Sequence, residues 1–399
     1  MKKSKDKKPT FELWEVIVIA IVSSIIMSLG TGYIAFRNNS LANVTNNKNL
    51  QEFVKSYNSI LNNYYDNVNE EELVDAAIKG MLNYLQDPYT TYLNESSKSA
   101  LTSSLTGTYE GIGVQVTSDE ENRVYITKVF DDTPAKTAGL EPGDIIVNVN
   151  DTDVTEKTSN EIVSLIKESK DAKVKITVLR ENVSKTFELT RENLYVPAVL
   201  SKIYTREDKK VGYIYIDKFS DTIYEQFSKE LTKLENDNIN SLVIDVRNNT
   251  GGYLNGATKI AELFLEKGKV IYSLENKTNT EVTKDTTPEK RDYKVAVIIN
   301  NGSASASEVL AGALKYSYGA TLVGVKSYGK GKVQQTSNLN DGSMIKYTTA
   351  RWLTPANECI DGIGLTPDIE QELPENFEED NSEENDKQLQ SAIDFLVAN

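Results

Sequence analysis

The chain has 399 residues, 59 acidic against 44 basic for a formal charge of −15, one cysteine and no histidine. Without histidine there is no Ser-His-Asp or Cys-His catalysis and no histidine-ligated zinc, and a single cysteine excludes an internal disulfide and a four-cysteine metal site. The acidic balance argues against a nucleic-acid binder, which needs a basic footprint, so any hydrolytic chemistry must be assembled from Ser, Lys, Asp, Glu, Tyr or Arg.

Lys2, Lys3, Lys5, Lys7 and Lys8 stand within residues 1–15, before an uncharged apolar run from Val16 to Phe36. At about 1.5 Å per residue the run spans roughly 30 Å, the hydrocarbon thickness of a bilayer. The lysines put the N-terminus in the cytoplasm and everything after Arg37 outside. A cleaved signal peptide competes, since Gly30, Gly32 and Ala35 are small, but the run is long for one and lacks a clear A-x-A site. The expectation is an uncleaved, single-pass anchor in the membrane of a bacterial cell.

Residues 37–105 comprise a polar, Asn-rich linker and two amphipathic helices. Phe53, Tyr57, Ile60, Leu61 and Tyr64, then Leu73, Ala77, Met81 and Leu85 recur at helical spacing, and Asp87-Pro88 ends the pattern. This is the composition of a scaffold or dimerising region, compatible with a homodimer or larger homo-oligomer.

Residues 106–191 change character. Short strands (Ile112 to Val116, Val124 to Phe130, Ile145 to Val149, Val174 to Leu179, Lys185 to Leu189) alternate with short helices at Pro134 to Ala138 and Asn160 to Ile166. Gly111, Ile112, Gly113 and Val114 offer unhindered backbone N–H groups for a chain-terminal carboxylate, and the strand that follows could take a peptide as an added strand. With Ala138-Gly139-Leu140-Glu141-Pro142-Gly143-Asp144 downstream, the segment resembles a PDZ domain.

Residues 192–372 read as α/β. Strands at Val211 to Ile216, Leu242 to Val246, Val270 to Tyr272, Val295 to Ile299 and Thr321 to Val325 interleave with helices at Thr222 to Glu235, Leu254 to Leu265 and Ser305 to Tyr318, followed by a hairpin at Asp341-Gly342. In residues 373–399, an acidic stretch ending at Asp386 reads as solvated and leads into a short amphipathic helix with Leu389, Ile393, Phe395 and Leu396.

Three segments carry chemistry. In Gly302-Ser303-Ala304-Ser305-Ala306-Ser307-Glu308 a strand hands over to a helix, presenting free N–H groups to an oxyanion, although Ser305-x-x-Glu308 also fits a capping box. Leu242 to Gly252 is a buried strand running into a polar loop with paired glycines, an anion nest or a plain βα connection. Tyr328-Gly329-Lys330-Gly331-Lys332-Val333-Gln334 contains two decoys. Gly324 to Lys330 fits G-x-x-x-x-G-K, but Gly331 stands where a phosphate loop needs Ser or Thr. Ser327-x-x-Lys330 lacks both a helix and a K-T-G partner. As a strand, it would place Lys330, Lys332 and Gln334 on one face.

In this order after a PDZ-like segment, the three motifs resemble the carboxyl-terminal processing (tail-specific) proteases, the S41-type serine peptidases. Gly80-Met81-Leu82, Asp87-Pro88 and Gly362-Ile363-Gly364-Leu365-Thr366-Pro367-Asp368 extend the resemblance over nearly the whole chain. It implies Ser305 as nucleophile, Lys330 as general base, Gln334 as the residue orienting that lysine, and an oxyanion hole from the N–H of Ala306 and of Gly251 or Gly252. The implied architecture is a multidomain α/β protein: transmembrane helix, helical N-terminal region, PDZ domain and α/β peptidase core. Its substrates would be proteins or peptides with free C-termini, with no metal, cofactor or nucleic acid; a catalytically silent PDZ scaffold is the alternative. The sequence departs from the pattern at Thr250 (proline), Gln86 (aspartate) and Asn357 (glycine), and adds Lys332. A lysine base must be neutral, and burial depresses its pKa, with repulsion from Lys332 expected to help. A Gln334 amide fixes its rotamer without restoring charge.

Overall fold

The computed structural model describes residues 47–398, apart from 120, 170–171 and 378–379. The expected anchor from Val16 to Phe36 lies outside the described residues. Among them, no helix is long and apolar enough to cross a membrane.

The two expected N-terminal helices are α1 (Lys48–Asn63) and α2 (Glu70–Tyr84). The Asn47 side chain caps α1 by accepting from the amides of Asn49 and Leu50. Glu70, Glu71 and Glu72 occupy the positive end of α2's dipole. Neither helix buries a residue, and Phe53, Val54 and Ile60 stay exposed.

The PDZ-like region follows β1 (Thr91–Leu93) and α3 (Glu95–Thr106), two elements with no clear period in the sequence. It comprises β2 (Thr108–Gly111), β3 (Val114–Ser118), β4 (Val124–Val129), α4 (Pro134–Ala138), β5 (Ile145–Val149), β6 (Thr152–Asp153), α5 (Ser159–Lys167), β7 (Lys173–Arg180), β8 (Val183–Thr190) and β9 (Glu192–Tyr195). The sheet order is β3-β4-β5-β7-β8, with β6 on β5, while β2 pairs with β9. Its core is Ile112, Ile126, Ile146, Ile162, Ile176 and Val178. The first strand starts at Val114, two residues after the expected Ile112. Ile112 and Gly113 form a bend instead, their carbonyls accepting from the amides of Ala135 and Phe130. The Pro142-Gly143 turn is held by buried Asp144, whose carboxylate takes two bonds from Arg180 at 2.6 and 2.7 Å.

The remaining elements are β10 (Val199–Arg206), β11 (Lys209–Ile216), α6 (Ile223–Asn236), β12 (Ser241–Asp245), α7 (Leu254–Glu262), β13 (Val270–Glu275), β14 (Thr280–Lys284), β15 (Lys294–Ile299), α8 (Ala306–Ala313) with a π-helical turn at Leu314–Tyr318, β16 (Thr321–Gly324), β17 (Lys332–Asn338), β18 (Met344–Leu353), β19 (Ile369–Glu370) and α9 (Lys387–Ala398). The main sheet runs β10-β11-β12-β15-β16-β19, parallel except for the β10–β11 pair. A parallel sheet is covered on both faces, which is why β12 and β15 carry runs of consecutive apolar residues, Leu242 to Ile244 and Val295 to Ile299. Leu242 and Ile244 face the layer of α6, α7 and α8, whereas Val243, Ala296 and Ile298 face α9 through Leu389, Ala392, Ile393 and Leu396. A second sheet, β1-β18-β13-β14 with β17 on β18, borders the site.

The expectation that the acidic stretch is solvated fails at its end. Asp386 is 6 % exposed and forms an ion pair with Arg247 at 2.7 Å.

Candidate active site

A cleft of about 640 Å³ gathers residues far apart in sequence: Ser305, Lys330, Gln334, Gly251 and Gly252 all line it. Parallel sheets place such clefts at the carboxyl ends of their strands. Here β12 delivers the glycine loop and β15 delivers the serine turn.

Of the three serines in the turn, two are structural. Ser303 and Ser307 are fully buried, and their hydroxyls donate to the carbonyls of Val246 at 2.7 Å and Asn249 at 2.8 Å. Ser305 alone lines the cleft. It stands at the N-terminus of α8 with φ 57° and ψ −117°, outside the extended region that N-cap residues adopt. A non-glycine residue there is strained, and such strain persists where the surroundings over-determine the backbone.

The surroundings are a buried carboxylate. Glu308 accepts from the Ser305 amide at 2.8 Å, the Gly329 amide at 2.7 Å, the Lys330 amide at 2.9 Å and the Ser327 hydroxyl at 2.6 Å. Burial raises its pKa, and the four donors work against that rise. The capping-box spacing thus does more than cap a helix, since one carboxylate ties the backbone of Ser305 to that of Lys330. Trp352 fixes the same segment from the other side, its indole N–H donating to the Lys330 carbonyl at 2.9 Å.

The Lys330 ammonium lies over the Tyr89 ring, 4.9 Å from its centroid. Its pKa is lowered, chiefly by burial and then by the nearby Lys346, with Glu308 and Asp87 opposing. The cation that lowers it is Lys346, whereas the sequence suggested Lys332, whose ammonium lies over the same Tyr89 ring at 5.8 Å. Lys332 instead forms an ion pair with Asp87 at 3.5 Å, and Asp87 in turn accepts from Thr90 and Thr348.

Gln334 lines the cleft with Lys330, but its amide donates to the Thr348 hydroxyl at 3.2 Å; among the described residues no bond joins it to Lys330. The expected period-two alternation from Lys330 to Gln334 does not form. The strand begins only at Lys332, and a bulge between Val333 and Gln334 lets Lys332, Val333, Gln334 and Gln335 all face the cleft.

The two glycines serve different ends. At Gly251 (φ 98°) a Cβ would lie 2.8 Å from the Ser305 Cβ and 3.0 Å from the Ala306 nitrogen; at Gly252 (φ 146°) it would strike the Phe219 carbonyl at 2.1 Å. Only glycine allows both approaches. The Gly251 N–H is already committed to the Asn249 side chain at 2.9 Å. That leaves the Gly252 N–H, with Ala306 at the start of α8, as the donors without a protein acceptor among the described residues.

The supports of this loop escaped sequence reading. Buried Asn249 donates to the Ile216 carbonyl, and its own carbonyl accepts from Ala304 and Ser307. Arg247 is clamped between Asp245 at 2.6 Å and Asp386 at 2.7 Å. Both carboxylates would be stranded in Arg247→Ala, which is expected to cost about 3–5 kcal/mol of stability, read from the urea-unfolding midpoint, with Asp386→Asn less severe. The Asp-x-Arg-Asn-Asn spacing was the available signal; the distant Asp386 left none.

Of the PDZ-like candidates, Ile112 is buried in that region's core, and Gly113 (φ 91°) packs against Thr133. Val114 opens β3, the outer strand of the sheet, which leaves an edge for an added strand. Asn357, at a glycine position of the resembled pattern, adopts φ 64°, which asparagine tolerates.

The profile of peptidase family S41 matches residues 210–371, that of the PDZ domain residues 101–179, and that of the activating protease CtpB N-terminal domain residues 33–97. The chain is similar to a probable CtpA-like serine protease of Staphylococcus aureus (strain MRSA252), 34% identical over 378 residues, covering 93% of this chain and 75% of that one. A probable CtpA-like serine protease of Staphylococcus haemolyticus is 32% identical over 379 residues, covering 93% and 75%. Among solved structures, a candidate S41 protease from Bacteroides fragilis shares the fold with TM-score 0.51 and 15% identity, covering 80% of this chain and 90% of that one.

Proposed function

Because the chain belongs to peptidase family S41, as a serine peptidase of the carboxyl-terminal processing kind with a PDZ domain, we propose that Ser305 and Lys330 form its catalytic dyad. Ser305 attacks the scissile carbonyl while neutral Lys330 takes the hydroxyl proton; Gly252 and Ala306 donate to the resulting oxyanion. The supporting observation is that Ser305 and a half-buried lysine of lowered pKa line one cleft. In this scheme Gln334 orients Lys330 through its Oε1, which accepts from the amine while Nε2 donates to Thr348.

The same reading gives the PDZ domain the capture of substrate C-termini and makes residues 16–36 a membrane anchor that holds the peptidase outside the cytoplasm. The exposed edge of β3 supports the first and the lysine-flanked apolar run the second.

The full chain in detergent, treated with a fluorophosphonate probe, tests the dyad: labelling is expected at Ser305. Labelling at another serine would overturn the Ser305 assignment, and no labelling returns the chain to a silent scaffold. Amidating the C-terminus of an unfolded protein substrate is expected to weaken its capture by losing charge-assisted hydrogen bonds. Equal cleavage of amidated and free-acid forms would remove C-terminal capture from the scheme.

A further inference from the structure

The chain as a whole carries −15, yet the cleft inverts that sign. Lys218, Lys330, Lys332 and Lys346 line it, and no aspartate or glutamate does. These cations differ in what neutralises them. Lys332 is paired with Asp87, and Lys330 is the half-buried lysine of the dyad. Among the described residues, Lys218 and Lys346 have no carboxylate partner. Lys218 reaches only the Ser104 hydroxyl, and Lys346 stands on β18, opposite Thr336 of β17 and Thr91 of β1.

Two half-buried ammonium groups without counter-ions flank the reacting residues in a partly enclosed cleft, where screening is weaker than at an open surface. We infer that this peptidase selects polypeptide segments carrying aspartate or glutamate side chains beside the scissile bond, with Lys218 and Lys346 as the specificity-determining residues. The inference rests on the peptidase reading and adds the substrate chemistry. A bound carboxylate supplies the missing counter-charge at each lysine. A lysine- or arginine-rich segment meets like charge, which rejects it. The long-range field of the acidic surface also repels acidic chains, so the preference belongs to the cleft and acts after encounter. Lys346 adds a second consequence. Its ammonium repels protonated Lys330 and helps hold the Lys330 pKa down. A substrate carboxylate on Lys346 weakens that repulsion and moves the Lys330 titration to higher pH.

The test uses the full chain in detergent and pairs of peptides that share one free C-terminus, so the terminal carboxylate contributes equally to both members. Within a pair the members differ only by Asp or Glu against Asn or Gln within two residues of the cleaved bond. The acidic member is expected to be cut with about tenfold higher kcat/KM at low salt, the preference shrinking as salt rises. Its pH–rate midpoint is expected above that of the amide member. Lys218→Glu should lower the acid-to-amide ratio and favour lysine-bearing peptides, with Lys218→Gln falling between; Lys346→Gln should remove the difference in pH midpoint. Cleavage of both members within twofold by the unsubstituted enzyme overturns the inference while leaving the peptidase reading intact. Cleavage of no peptide, together with no fluorophosphonate labelling, overturns the reading itself.

Discussion

Lys330→Arg is expected to leave peptidase activity at background from about pH 6 to 10, as low as Lys330→Ala, because guanidinium stays protonated and cannot serve as a base. Arginine keeps the length and the charge, so an anion-binding or edge-strand role would survive the exchange. A base role does not. The loss is expected to be about 10²–10⁴ in rate, or more where base and nucleophile act as one unit. The sign of the pH dependence follows from the lowered pKa of Lys330. Below the folded-state pKa the amine is protonated and idle; as pH rises through that value the neutral fraction grows and the rate climbs, at lower pH than an ordinary lysine would allow. Lys332→Arg, at a site paired with Asp87, controls for damage to the strand. Substantial turnover by Lys330→Arg would sink the dyad.

Ser305→Ala is expected to abolish turnover, by a factor on the order of 10⁶ judged from other serine peptidases, while changing stability by no more than about 1 kcal/mol. The neighbouring serines invert that pattern. Removing the Ser303 or Ser307 hydroxyl leaves a loop carbonyl short of a buried donor and should cost about 1–3 kcal/mol of stability. Their remaining turnover should stay well above that of Ser305→Ala. Peptidase rates and urea midpoints on all three variants separate the two effects. A Ser303→Ala as inactive as Ser305→Ala, with its midpoint unchanged, would return the assignment to the whole turn.

What could be read in the sequence follows from how local the signal is. The apolar runs of β11, β12 and β15 and the turn residues at Pro142-Gly143 and Asp341-Gly342 are local, and the structure places elements there. Ser305 stood out through the order of three motifs. Long-range pairings were out of reach: Lys346 as the neighbour of Lys330, Asp87 as the partner of Lys332, Asp386 as the clamp on Arg247. Each joins segments whose separation no periodicity encodes. The Gln334 expectation met a different obstacle, a bulge that breaks the alternation it depended on. Strands such as β10, β14 and β19 escaped because they are short or half-polar, and α3 because its serines and threonines mask its period.

The C-terminal helix has a consequence for synthesis. Chains emerge N-terminus first at about 5–20 residues per second, so the parallel sheet exists for some time with one apolar face bare. Leu389, Ala392, Ile393 and Leu396 cover that face, and Asp386 arrives beside them to complete the clamp on Arg247 behind the glycine loop. Until then Arg247, behind the loop that lies against Ser305, is held by Asp245 alone. Docking of residues 386–398 thus joins the burial of that face to the second ion pair of Arg247, so cover for the sheet and support for the glycine loop form in one step.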